Sequence, residues 1–193
     1  MEANIDKREL IKKVVHANRG NLTPEELKMQ EEAMLEIFDE GVIPAEALGF
    51  SDEFLEYVYM YAYSLYQQNK IEEACQLYTW LKTMMPDERY TIALSICYIQ
   101  QKKWLAAVAA LMELAYLNPE DPYPFEKMSE CLTEAEDLPG ALVAIEKAIQ
   151  RAGDKSEFAT EKEKWRMRYE HILSRLNIDP AIIEKVRAER NVA

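Results

Sequence analysis

One interval constrains this chain more than anything else in it. Ala74, Ala107 and Ala141 lie 33 and 34 residues apart, and Pro86, Pro119 and Gly153 repeat the same two spacings. Self-similarity at such a period marks a stack of small identical units, each too thin to bury an apolar face alone. Within each interval the apolar pattern reads as helix, short turn, helix. Composition agrees. Five glycines and eight prolines in 193 residues are too few for a turn-rich β fold, and apolar residues at 49% are enough to build a core. The fold class is all-α.

The units correspond position by position. The first supplies Val58, Tyr61, Ala62 and Leu65, then Ala74, Tyr78 and Pro86. The second supplies Thr91, Leu94, Ser95 and Tyr98, then Ala107, Leu111 and Pro119. The third supplies Phe125, Met128, Ser129 and Leu132, then Ala141, Ile145 and Gly153. Small residues on both helices of a unit allow close approach, and one large residue fills the joint. The pattern resembles the tetratricopeptide repeat, although no unit carries that motif's Trp or Gly. The resemblance implies three helical hairpins in a right-handed superhelix, at about 55–87, 88–121 and 122–153, within a repeat region of 51–153. It also implies that the first helix of each hairpin lines the concave side.

The flanks carry helix signals of their own. Ile5 to Ala17 is a short amphipathic segment that ends at the turn residues 18–21. Thr23-Pro24-Glu25-Glu26 has the cap, the first-turn proline and the glutamate of a capping box. Gly41 stops that helix, the stretch to Gly49 has room for one helical turn, and Ser51-Asp52-Glu53 starts the repeats. Residues 1–50 therefore form a helical arm. Leu10, Ile11, Val14, Met34, Ile37 and Phe38 give it more apolar surface than one arm buries on itself, so we expect it to dimerise two copies. Fold-back onto the chain's own repeats is the alternative. Residues 154–193 hold a capping helix to about Leu176 and a short tail helix with Ile182, Ile183 and Val186.

Charge and composition exclude several functions. The formal charge of −12, with a pI near 4.8, argues against nucleic acid and anionic membranes as partners. Cys75, Cys97 and Cys131 form no close pair, which suits a reducing, cytoplasmic location and neither a disulfide framework nor a zinc site. No apolar run reaches the roughly 18 residues of a membrane span. His16 and His171 stand far apart, and the catalytic and phosphate-binding motifs are missing. We therefore expect no enzyme, no metal and no cofactor.

A binding surface is legible instead. Tyr59, Tyr63 and Tyr66 recur at spacings of four and three and share one helical stripe, offset from the packing stripe of the first unit. The matching positions are Ile92, Ile96 and Ile99 in the second unit and Glu126, Glu130 and Thr133 in the third. The groove is expected to run from aromatic through aliphatic to acidic.

The stretch from Leu55-Glu56-Tyr57-Val58-Tyr59 through Tyr66-Gln67-Gln68-Asn69-Lys70 to Glu73-Ala74 resembles the first repeat of bacterial type III secretion chaperones that serve translocator proteins. Pro122-Tyr123-Pro124-Phe125 and Glu130-Cys131-Leu132 resemble the start of their third repeat. Departures fall at Ile71, where a tyrosine is common, and at the acidic Glu126 and Glu130. The resemblance implies a small acidic cytoplasmic chaperone that holds an extended segment of a hydrophobic translocator in its concave groove before export. The alternative is a general tetratricopeptide scaffold or adaptor, a subunit of a larger complex. Adaptors that bind acidic C-terminal tails are disfavoured, because the groove stripe offers no cations.

Overall fold

The chain's helices begin where its capping chemistry lies. The computed structural model describes residues 7–17 and 20–177. Helix α1 spans Lys7–Ala17, and α2 spans Pro24–Leu35 behind a complete Thr23/Glu26 capping box. A wide π turn, Glu36–Glu40, follows and ends at Gly41 in the left-handed conformation at φ 70°. One helical turn, α3 (Pro44–Ala47), then leads to Ser51, whose hydroxyl accepts from the Phe54 N–H and opens the repeats.

Six helices form the three hairpins. They are α4 (Asp52–Gln67) with α5 (Ile71–Met84), α6 (Glu88–Gln100) with α7 (Trp104–Leu117), and α8 (Tyr123–Glu134) with α9 (Leu138–Ala152). A short 3-10 turn precedes α10 (Ala159–Leu176). Helices pack on their neighbours in chain order from α4 to α10, and there is no strand among the described residues. This is the all-α tetratricopeptide architecture. The tail helix expected around Ile182, Ile183 and Val186 lies outside the described residues.

Small residues set the spacing inside each hairpin. Ala62, Ala74, Ala107 and Ala141 are completely buried. At the third hairpin Ser129 donates to the Ala141 carbonyl at 2.9 Å, which satisfies a buried hydroxyl where the two backbones meet.

Each hairpin turns on the same device. Asn69, Lys102 and Glu136 sit at φ 61°, 55° and 61°, one residue past the cap of the leading helix. The following N–H reaches back to Leu65, Tyr98 and Leu132, at 2.9 Å in each case. This is the six-to-one bond of a Schellman ending, where glycine is the usual occupant.

Neighbours decide what is buried. Tyr61 is expected in the packing stripe, yet it is 52% exposed, and Leu55 is buried in that helix. The equivalent residues Leu94 and Met128 are buried, because α5 and α7 lie against the leading helices that follow them. No preceding hairpin lies against α4. Tyr57 is 72% exposed for the same reason, whereas its equivalent Tyr90 is fully buried.

The arm's α1 packs on α2, and α3 reaches α5. Phe50 and Phe54 stack at 5.3 Å and meet the edge of Trp80 on α5. At the other end α10 closes the stack on α9 with Trp165, Ile172 and Leu173 buried. Arg151 of α9 ties the third hairpin to the end of α7 and the loop after it. It donates to the carbonyls of Ala115, Asn118 and Asp121 and stacks on Phe125 at 4.5 Å.

Candidate functional site

Leading helices α4, α6 and α8 bring the expected stripe together along one side of the stack. A depression of about 110 Å³ is lined by Tyr59, Tyr63, Tyr66, Ile92 and Ile96, with Tyr78 of α5 among the walls. Ile92 and Ile96 also border the next depression, about 400 Å³, with Ile99 and Glu130. Ile99 and Glu130 continue into a third, about 410 Å³, which Arg168 and His171 of α10 border. Shared walls make the three one groove that runs from the first hairpin to the capping helix.

The groove residues differ in how free they are. Tyr63, Ile92 and Ile96 are 44%, 41% and 41% exposed, so their apolar surface faces water. Tyr59 is half-buried, with its ring 5.7 Å from Tyr78 and 5.8 Å from Tyr90 and the Arg89 guanidinium 5.3 Å above it. Its first role is packing between hairpins. Tyr66 is half-buried, and its hydroxyl accepts from the Gln100 side chain at 2.8 Å. Burial, and then the neighbouring Tyr59, push the Tyr78 hydroxyl well above the ordinary phenol range, so the floor under the tyrosines stays uncharged.

The third-repeat end is not an open acidic surface. Glu126 is buried, lines none of the three depressions, and accepts from Arg168 at 2.8 Å. Glu130 accepts from Arg168 and from Lys127, both at 2.8 Å. Burial alone would raise the Glu130 carboxyl, but Lys127 and Arg168 outweigh it and hold the carboxyl below its usual range. A cation reaching across about 40 residues of sequence cannot be found from spacing, so Arg168, like Arg89 and Arg151, is invisible to periodicity.

Residues expected to dimerise the arm divide between two environments. Ile11 is buried and Met34 and Ile37 are half-buried within the chain itself. Leu10, Val14 and Phe38 stay exposed, Phe38 by 61%.

The buried Cys97 and Cys131 are not activated thiols. Burial pushes the Cys97 and Cys131 thiols up to about 11, so both stay protonated near neutral pH. No cluster of three or more His, Cys, Asp or Glu side chains that could hold a metal ion occurs among the described residues. No helix among them is long and apolar enough to cross a membrane.

Known proteins share this arrangement of helices. A type III secretion complex from Aeromonas hydrophila superposes with a TM-score of 0.64 at 20% identity, over 76% of this chain and 99% of that one. The Yersinia enterocolitica chaperone SycD, in complex with a peptide of the translocator YopD, gives 0.57 at 23% identity, over 65% and 96%. PcrH of Pseudomonas aeruginosa, in complex with the chaperone binding region of PopD, gives 0.57 at 22% identity, over 66% and 96%. A family model described as anaphase-promoting complex, cyclosome, subunit 3 matches residues 42–114. No curated protein matches the chain. At this level of identity the likeness establishes a common fold, and the chain spans nearly the whole length of the structures it resembles.

Proposed function

We propose that the chain is a cytoplasmic type III secretion chaperone that holds an extended hydrophobic segment of a translocator protein in the groove before export. One observation carries this reading. A continuous groove presents exposed Tyr63, Ile92 and Ile96 to water, on a fold shared with chaperones seen in complex with translocator peptides. Large apolar side chains held on a rigid wall bind an extended strand without chemistry of their own. A translocator carries segments that would aggregate in water, and covering one of them removes it from cross-β contacts. The chain's formal charge of −12 adds solubility to the complex.

Affinity purification from the native cell, followed by mass spectrometry, tests this. The parent protein should carry a secreted, membrane-inserting partner, and Ile96→Glu should lose it while keeping its helical circular dichroism. Recovery of a stable soluble assembly that survives Ile96→Glu would favour the general scaffold reading instead.

We also propose that the arm joins two copies. Leu10, Val14 and Phe38 remain exposed after α1 and α2 have packed. Light scattering should give a dimer mass at micromolar concentration, and Phe38→Glu should shift it towards the monomer. A monomeric parent protein would refute the dimer.

A further inference from the structure

A further depression lies outside the groove. It has a volume of about 680 Å³ at the outer side of α4, and Arg89 borders both it and the tyrosine end of the groove. Three carboxylates line it, from Asp52, Glu53 and Glu56. Glu56 is paired with Arg89 at 3.1 Å, whereas Asp52 and Glu53 meet no cation among the described residues. Beside them stand Tyr57 and Met60, 72% and 54% exposed. Acids in a first helical turn have an ordinary purpose, since they complement the helix dipole. That purpose leaves a second feature without explanation. Tyr90, fully buried, also lines this depression, and its hydroxyl has no hydrogen-bond partner among the described residues. An unmade bond on a buried hydroxyl is costly, and a native chain rarely keeps one without a use.

We infer that this depression is a subsite for a lysine or arginine side chain of the bound segment, placed where the strand leaves the groove past Arg89. This rests on the groove reading above and adds a charge preference to it. The aliphatic stem of the ligand residue lies on Tyr57 and Met60, whose exposed surface matches such a stem. Its cationic head meets the Asp52, Glu53 and Glu56 carboxylates and donates to the Tyr90 hydroxyl oxygen. Three carboxylates against the single Arg89 leave the site net negative, so it attracts a cation and rejects an acid.

Labelled apolar peptides of leucine, valine and proline test the subsite by fluorescence anisotropy on the full chain. They carry lysine, norleucine or glutamate at one end of the apolar core, and each is made with that residue at either end to cover both strand polarities. In one polarity the lysine peptide should bind about tenfold more tightly than the glutamate peptide. The double variant D52N/E53Q should reduce that ratio to about threefold or less and leave the norleucine peptide unchanged. The control E72Q/E73Q removes the same formal charge from exposed acids of α5 and should keep the full ratio. Tyr90→Phe should weaken the lysine peptide alone and leave thermal stability equal or higher, because the hydroxyl it deletes has no partner to lose. Equal affinity for lysine and glutamate peptides overturns the subsite and leaves the groove standing. Equal responses of the two double variants also overturn it, by assigning the preference to overall charge. Failure of every peptide to bind overturns the groove reading and the subsite with it.

Discussion

The two ends of the groove occupy the same helical register and are built from opposite materials. Tyr59 and Tyr63 on α4 correspond to Glu126 and Glu130 on α8. At the first end aromatic rings lie on an aromatic floor, and the leading helix has no hairpin before it. At the other end two carboxylates share one guanidinium from the capping helix. Register therefore determines where a side chain stands, while the elements stacked beyond it determine whether it is free to bind. Tyr63 at the aromatic end stays exposed to water, and the acidic end is tied into the fold.

This contrast predicts different costs at the two ends. The largest should come from the capped end. Trp165→Ala should cost about 3–5 kcal/mol in urea unfolding, since a buried indole and its packing are lost. Tyr61→Ala, at the uncapped end, should stay within about 0.5 kcal/mol. Similar losses at the two positions would break the comparison.

Arg168→Ala should cost about 1–3 kcal/mol, because buried Glu126 then loses its closer cation and keeps only Lys127 at 3.4 Å. Glu130, which accepts from both Lys127 and Arg168, gives an acid response. The folded Glu130 carboxyl is held below its unfolded value of about 4.3, so its stabilising contribution is present above that pH and is lost as pH falls through the folded value. Urea midpoints of the parent should drop more steeply than those of Arg168→Ala below about pH 4.3. Parallel curves would show that the pair contributes nothing.

Tyr63→Ala should weaken binding of an extended apolar segment by about 2 kcal/mol, roughly thirtyfold, with little change in melting temperature. Tyr59→Ala should lower both, because its ring is packed between Tyr78 and Tyr90. Measuring affinity and melting on both variants separates the tyrosine offered to a partner from the one used by the fold. If Tyr63→Ala melts as early as Tyr59→Ala, that distinction fails.

The smallest effect lies in the turns. Lys102→Gly should raise stability by about 1 kcal/mol, since glycine adopts positive φ without the Cβ penalty. Glu136→Gly should gain less, because Glu136 also accepts from Arg175 of the capping helix at 3.0 Å. Equal gains would show that this exposed contact is inert.

Local pattern explains most of what could be read in advance. The alanine period placed three hairpins, and the capping residues placed their first helix start at Ser51. Helical spacing put Tyr59, Tyr63 and Tyr66 on one stripe, because residues three and four apart share a face whatever the helix packs against, and the repeat period matched Ile92, Ile96 and Ile99 to it. Burial could not be read in that way. Tyr61 and Leu94 occupy the same repeat position, yet one is exposed and the other buried, because only α6 has a hairpin stacked before it.

Charge followed the same division. The sequence by itself determined a helical repeat with an aromatic-to-acidic stripe, since both are properties of residues a few positions apart. Only the tertiary structure decided that Glu126 is buried and paired, that Arg89 divides two depressions, and that Tyr90 holds an unpartnered hydroxyl. Each of those depends on side chains brought together from different helices. A period of 33 or 34 residues records that the helices stack, and it carries no record of which charges then meet.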